Sequence, residues 1–520
     1  MKNNVLIKNA ILSVQDKSGI QEFAKNLSKL GVKILCTEGT ANFLKKSNID
    51  VINISNYIKL PEIFNKRVKT LHYKIYGGIL HRGEKDKNII KKYKIIPIDM
   101  VIINFYSLNN LELYENITEN IDIGGPSMIR AAAKNYKYIT AVTNNSQYKK
   151  IIKEMKNNEN CVTLNTRLKL AKIAFKNTLN YETLVNKIFN KKIEKSKNKN
   201  KIIFPEVINL KLTKKQEMRY GENQHQKSAL YESKNLEYMF SIKNKNIGKK
   251  LSYNNIEDVN TAIECIDQFK KPACVIVKHS NPCGAAIDST ILKAYIKAQK
   301  ADPISSFGGI VAFNKKLDYL TAAEIIKKQF VEIIITPEIE EKTLNVINTK
   351  KNIRVIIYKK NNTFKSLIDI KSVHGGFLLQ EHNTNNIDIK KIKIVTKREP
   401  NDTEINDSIF AWKIAKFVKS NAIVFAKNNI TLGIGSGQTS RIYATKIAKM
   451  KSEQINKNLK NSVMASDAFF TFTDNITVAE QIGVKCIIQP GGSIKDKEII
   501  QEANKHNISM IFTNIRNFRH

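Results

Sequence analysis

Two side chains able to carry protons stand together in "VKHSNPCG", where Lys278 and His279 follow an apolar, β-branched run from Ala273 to Val277. Such a run reads as a buried strand, and Asn281-Pro282 with Gly284 reads as a loop leaving it. A lysine and a histidine at a strand end can exchange protons and stabilise developing negative charge. A solvated strand end would carry the same two residues. Other stretches hold groups suited to anions. "CTEGTA" puts Thr37, Gly39 and Thr40 between a strand and a helix start, where backbone N–H groups, hydroxyls and an approachable glycine form an anion site. "LSVQDKSG" supplies Ser13, Lys17 and Ser18 at the end of the first strand, and "RVKTLH" adds Arg67, Lys69 and Thr70. A capped helix or a solvated loop would explain each alone; together on one sheet edge they fit a phosphate-bearing substrate. "IDIGGPSMIRAAAKN" sets Asp122 just ahead of a helix opened by Gly124-Gly125-Pro126. Arg130 and Lys134 follow on that helix, whose alanines permit close approach.

The elements that must position these groups are readable from periodicity. Residues 5–14 read as a strand; Ile20, Phe23, Ala24, Leu27 and Leu30 then recur at helical spacing until Gly31 stops the helix. "VKIL", "IDMVIINFY" (98–106) and "YITAV" (138–142) add buried strands, with helices over about 147–190. This alternation predicts an α/β fold with a doubly wound parallel sheet. The charged, aperiodic "KIFNKKIEKSKNKNK" (187–201) reads as a linker. Domains are therefore expected over 1–195 and 202–520, since 520 residues exceed what one core serves. Strand-like runs at 273–277, 308–313, 331–336, 353–358, 421–426, 485–488 and 509–513 make the second region a larger α/β unit with two subdomains. No short-period repeat stands out.

The formal charge of +39 comes from 76 Lys and 10 Arg against 47 acidic residues. Lys, Asn and Ile are the residues that A/T-rich codons specify, and the lysines are spread evenly without an aromatic-interleaved patch. Codon bias explains the excess better than a nucleic-acid partner does. Five of the ten arginines (Arg67, Arg130, Arg219, Arg441 and Arg516) fall inside short stretches singled out on other grounds. Arginine holds phosphate or carboxylate bidentately, as lysine cannot. Six cysteines without a CxxC pair suggest free thiols in a reducing cytoplasm, with no disulfide framework or zinc cluster. A mean hydropathy of −0.32, no signal-peptide pattern and no apolar run near the roughly 20 residues of a membrane span suggest a soluble chain. "GIGSG" (433–437) lacks the third glycine of a dinucleotide fingerprint.

Taken in order, "SVQDKSG", "EGTA", "RVKTLH" and "IDIGGPSMIRAAAKN" resemble the N-terminal domain of the AICAR transformylase/IMP cyclohydrolase family. "MRYGENQHQ", "LSYNNIED", "VKHSNPCGAA", "DPISSFGGIVA", "SNAIVFAKN", "GIGSGQTSR", "SDAFF" and "TNIRNF" continue the resemblance through nearly the whole chain. It implies a methylglyoxal-synthase-like first domain that closes the purine ring of formyl-AICAR to IMP. It implies a second domain of cytidine-deaminase-like subdomains that moves a formyl group from 10-formyltetrahydrofolate to AICAR. A homodimer is implied, with 10-formyltetrahydrofolate as cosubstrate and no tightly bound cofactor. Zinc deaminases share that second fold, but no His/Cys/Cys set surrounds Cys283.

The resemblance also assigns roles. Lys69, Tyr106, Asp122 and Lys134 would surround the ring-closing centre, with Lys134 as proton donor and acceptor. Ser13, Lys17, Thr37, Gly39, Thr40, Arg67, Thr70 and Asn104 would hold that substrate. For transformylation, His279 would accept the amine proton and Lys278 would stabilise charge on the formyl oxygen, with Asn281-Pro282 and Gly284 fixing the loop. Arg219, Tyr220, Gly308, Glu332, Asn421, Arg441 and Arg516 match AICAR-binding positions. Ile442, Phe469, Asp474, Ser493 and Ile494 match the folate side. Gln15, Gln224, Thr471 and Thr473 depart from residues common in the family.

Overall fold

The computed structural model describes residues 4–61, 63, 64, 67–105, 118, 121–196, 204, 206–233, 240–242, 250–359 and 368–520. The chain divides into two compact units, Met1–Glu206 and Val207–His520.

In the first unit, strands Asn9–Ser13, Lys33–Cys36, Ile52–Asn53, Met100–Ile103 and Thr140–Val142 form a wholly parallel sheet. Asn9–Ser13 is central, with Lys33–Cys36 on one side and Met100–Ile103 on the other. The winding direction reverses between Asn9–Ser13 and Met100–Ile103, which opens a crevice beyond their carboxyl ends. Helices cover both faces, so Met100–Ile103 is buried at every position. Phe23, Leu27, Ile151 and Met155 pack on one face. Ile75, Ile79, Met128, Ile129 and Ala132 pack on the other. The segment expected as one strand over 5–14 is two: Asn4–Leu6 turns away to pair antiparallel with Cys161–Thr163.

The expected linker is partly helical. Helix Leu164–Ser196 runs through residues 187–196, leaving 197–201 outside the described residues. Lysine and glutamate are good helix formers even without an apolar period. Ile188, Leu184 and Val185 also anchor this stretch beside Tyr181 and Phe105.

The second unit holds a twelve-stranded mixed sheet built from two like halves. Each half begins with a helix, Tyr253–Ile266 or Asp402–Ala415. A hairpin follows, Ala273–Lys278 with Asn281–Ile287 or Ile423–Lys427 with Ile430–Gly435. Three strands alternating with helices follow in each half, Ile310–Phe313, Ile333–Thr336 and Arg354–Tyr358, or Val463–Ser466, Cys486–Gln489 and Ser509–Phe512. Short antiparallel edge strands Phe240–Ile242 and Lys393–Ile394 bring the total to twelve. The two leading helices share one core on one face of the sheet, through Val259, Ala262, Phe410 and Ala411 among others. The halves join antiparallel where Ala286 meets Ile430. The turn of the first hairpin therefore lies at the same sheet edge as the open end of the second. The Lys419 N–H marks that meeting, donating to Asn281 Oδ1 at 2.9 Å.

Asn281, Pro282 and Gly284 thus belong to a strand, correcting the expected loop. Only His279 and Ser280 form the turn, both in left-handed conformation with φ of 54° and 59°. Pro282 has no N–H for the ladder, and the register shifts beside its partner Val277.

Candidate active sites

In the first unit the sheet crevice collects most of the expected residues. Ser13 ends the central strand, and its Oγ accepts from Thr37 Oγ1 at 3.2 Å. Thr37 stands at the N-cap position of helix Glu38–Lys45 without a side-chain capping bond, and from that helix Thr40 Oγ1 accepts the Val14 N–H at 3.2 Å and Lys17 Nζ at 3.1 Å. Lys17 also donates to the Val14 carbonyl. Burial pushes the Lys17 ammonium below the usual lysine range; the neighbouring Lys69 charge acts in the same direction and Cys36 opposes. Asn104, just past Met100–Ile103, binds the same loop: Oδ1 accepts from Asp16 N at 3.2 Å and Nδ2 donates to Asp16 O at 2.8 Å. Gly39 and Arg67 are exposed, while Lys69 is half-buried.

Helix Gly124–Lys134 starts at the same edge, and its glycines are required by contact. A Cβ on Gly124 would stand 2.5 Å from buried Thr70 Oγ1, and one on Gly125 would stand 2.3 Å from Asp122 Oδ2. Asp122 is held by the Gly125 N–H on Oδ1 at 3.0 Å, while its own N–H donates to Tyr181 Oη at 2.7 Å. Tyr106 lies outside the described residues.

Lys134 does not join this group. Ten residues at 1.5 Å per residue put it about 15 Å down the helix from Gly124, farther than a lysine side chain spans. The next residue, Asn135, donates to the Ile79 and His81 carbonyls at 2.8 Å, and His81 lies within electrostatic reach of Asp99 at the opposite end of the central strands. Within one chain, Lys134 and Asp122 occupy opposite sheet edges.

In the second unit, Lys278 Nζ donates to the Phe307 carbonyl at 2.8 Å, and exposed His279 occupies the adjoining turn. Gly308, at φ 74°, donates its N–H to Phe330 O at 2.8 Å beside the next strand. Glu332 accepts from Asn255 Nδ2 at 2.9 Å and Arg354 Nη2 at 3.2 Å. Burial depresses the Arg354 guanidinium, with Glu332 opposing and Arg219 adding to the depression. Arg219 lies 4.6 Å above the Tyr220 ring and donates to its hydroxyl at 2.6 Å. These groups line one edge of the first half.

From the second half, Asn421 donates from Nδ2 to Gln438 O at 2.7 Å. Arg441 pairs with fully buried Asp467 at 2.9 Å and donates to Phe469 O at 3.2 Å. Its buried Nε has no partner among the described residues. Ile442 adjoins it, half-buried. Asp474 begins helix Asp474–Ile482, while Ser493 and Ile494 follow the Cys486–Gln489 strand. Ile494 is fully exposed. Arg516 is exposed and stacks 4.6 Å from the Phe518 ring. Asn255, Asp258, Arg354 and Asp467 were not among the expected site residues. Their signals were present: "LSYNNIED" contains Asn255 and Asp258, "SDAFF" contains Asp467, and Arg354 is one of only ten arginines.

The MGS-like domain family matches residues 19–127, and the family described as AICARFT/IMPCHase bienzyme matches residues 132–451. The bifunctional purine biosynthesis protein PurH of Buchnera aphidicola subsp. Schizaphis graminum is 50% identical over 528 residues, covering 100% of both chains. The PurH of Buchnera aphidicola subsp. Acyrthosiphon pisum (strain Tuc7) is 48% identical over 529 residues, again covering both completely. The chain belongs to the AICARFT/IMPCHase bienzyme family. It is a bifunctional enzyme of purine biosynthesis, an AICAR formyltransferase/IMP cyclohydrolase, and it contains an MGS-like domain in its first unit. A solved structure, "Crystal structure of ForH", is 32% identical, covers 35% of this chain and 98% of its own, and superposes with a TM-score of 0.34. In this bienzyme no described helix is long and apolar enough to cross a membrane, and all six cysteines are free thiols.

Proposed function

We propose that the second unit transfers the formyl group of 10-formyltetrahydrofolate to AICAR and that the first unit closes formyl-AICAR to IMP with loss of water. The carrying observation is that Lys278 and His279 share a sheet edge with Arg441, whose buried Nε has no partner among the described residues. An arginine donor left free in a buried setting suits an anionic substrate group. The aromatic amine of AICAR attacks the formamide carbon, and its nitrogen loses a proton as the C–N bond forms; the bond from the formyl carbon to the folate N10 then breaks, and N10 takes up a proton as tetrahydrofolate leaves. His279 accepts that proton, and Lys278 stabilises negative charge on the formyl oxygen. Arg219, Tyr220, Gly308, Glu332, Asn421, Arg441 and Arg516 hold AICAR; Ile442, Phe469, Asp474, Ser493 and Ile494 take the folate. The two halves of the second unit are assigned to the cytidine-deaminase-like fold, with no catalytic metal.

For ring closure, the carboxamide nitrogen attacks the formyl carbon and hydroxide leaves protonated as water. Ser13, Lys17, Thr37, Gly39, Thr40, Arg67, Thr70 and Asn104 hold the phosphate-bearing substrate in the crevice. Lys69, Tyr106 and Asp122 serve proton transfer there. A role for Lys134 in ring closure requires a second copy of the chain to bring it in, in keeping with a homodimer. The domain boundary falls after residue 195, the second domain begins at 202, and the enzyme works in the cytoplasm.

The test is to incubate the full chain with AICAR and 10-formyltetrahydrofolate and to follow tetrahydrofolate and IMP. The proposal expects both products in equal amounts and transfer reduced about 100- to 10,000-fold in His279→Ala. Near-normal transfer by a folded His279→Ala enzyme would overturn the assignment.

A further inference from the structure

The His279–Ser280 turn has no glycine, although both residues adopt positive φ. What holds it is a carboxylate from another element. Asp258, on helix Tyr253–Ile266, accepts the main-chain N–H of Ser280, with the Ser280 hydroxyl 3.4 Å away. The second half repeats the device. Asp407, on helix Asp402–Ala415, accepts the main-chain N–H of Asn428 at 2.7 Å and of Asn429 at 2.6 Å. Asn428 and Asn429 again have positive φ, 53° and 56°. Each aspartate stands six positions after its helix N-cap, Ser252 to Asp258 and Asn401 to Asp407.

The likeness extends to the lysine before each turn. Lys278 donates to Phe307 O at 2.8 Å, and Lys427 donates to Lys460 O at 3.0 Å. One scaffold therefore appears twice, helix aspartate to hairpin turn to lysine, and a histidine occupies the turn in the first half alone. Asparagine tolerates left-handed backbone more readily than most residues. The second turn would form with little help, whereas His279 at the same φ depends more on the carboxylate.

We infer that Asp258 is a positioning residue for formyl transfer: by binding the Ser280 amide and hydroxyl it fixes the left-handed turn that aims His279 into the AICAR edge. Its half-buried carboxylate, pushed above the ordinary range by desolvation, is also within electrostatic reach of the imidazole. This inference rests on the proposed role of His279. Asp407 does the same mechanical task at the opposite sheet edge, so it supplies the internal control.

The experiment measures formyl transfer per folded molecule in Asp258→Ala and Asp407→Ala of the full chain, with thermal melts and supplied formyl-AICAR as a ring-closure control. A misaimed catalytic group can cost up to about 100-fold. Asp258→Ala should lower kcat for transfer at least about tenfold, leave the KM for AICAR within about threefold, and leave ring closure unchanged. Asp407→Ala should lower the melt while its kcat for transfer stays within about threefold of the parent. If Asp258→Ala does not fold, Asp258→Asn replaces it. A neutral amide makes about half as strong a bond to the Ser280 N–H, so kcat should still fall at least about fivefold. The inference is overturned if the folded Asp258 variant transfers at the parental rate, or if Asp407→Ala slows transfer equally. His279→Ala run alongside separates the two failures: parental transfer there removes the role of His279 itself.

Discussion

Asp467→Ala should damage the second unit through a charge that loses its partner. Asp467 is fully buried, and the Arg441 side chain bonded to it is only 10% exposed. One carboxylate oxygen accepts from Arg441 and the other from the Ser420 hydroxyl. The Arg441 Nε is already without a partner among the described residues, so removing the carboxylate leaves a guanidinium held only by Phe469 O at 3.2 Å. Breaking a buried pair from one side typically costs about 3–5 kcal/mol. At about 2 °C per kcal/mol for a unit of this size, the melt should fall by about 6–10 °C. Arg441 should also lose its aim, raising the KM for AICAR while ring closure of supplied formyl-AICAR continues. Circular-dichroism melts and steady-state transfer assays read both effects. A melt within about 1 °C of the parent, together with an unchanged KM for AICAR, would refute the reasoning.

Gly125→Ala should slow ring closure without abolishing transfer, because the new Cβ meets Asp122 Oδ2 at 2.3 Å and displaces the carboxylate; parental ring-closure rates would contradict it. Lys416 should make stability depend on alkaline pH. Its pKa is lowered to about 8 by burial, with Glu264 opposing, whereas an exposed lysine titrates near about 10.4. Between those values the unfolded chain binds more protons than the folded one, so stability rises with pH. The melting temperature of Lys416→Met relative to the parent should therefore decline from pH 8 to pH 10; a constant difference would show that Lys416 stays charged in the fold.

The parallel strands were legible because buried β-branched runs such as Met100–Ile103 have no polar face to imitate anything else. The second strand of each hairpin was not. Pro282 and Gly284 read as loop residues and Gly433 and Gly435 as part of an incomplete dinucleotide motif, yet these glycines serve close packing: a Cβ would stand 2.1 Å from Ala298 O at Gly284 and 2.1 Å from Ala448 O at Gly433. The duplication was equally hidden, since His279-Ser280 and Asn428-Asn429 share geometry and almost no chemistry. Most of the crevice residues of the first unit were recognisable from spacing after strands, which chain order alone places at one edge. Lys134 shows the opposite limit: twelve residues after Asp122 in sequence, it is carried by an unbroken helix to the far edge. Asp258 and Asp467 escaped notice because a carboxylate that holds backbone looks, in sequence, like any solvated acid.

The central claim is that one chain carries two separable activities, and mixing two single-site variants tests it most directly. His279→Ala and Asp122→Asn are each incubated with AICAR and 10-formyltetrahydrofolate, then combined in one vessel, with IMP and formyl-AICAR quantified throughout. His279→Ala should leave AICAR unreacted, Asp122→Asn should accumulate formyl-AICAR, and the mixture should produce IMP. Accumulation of formyl-AICAR by His279→Ala, or of unreacted AICAR by Asp122→Asn, would contradict it.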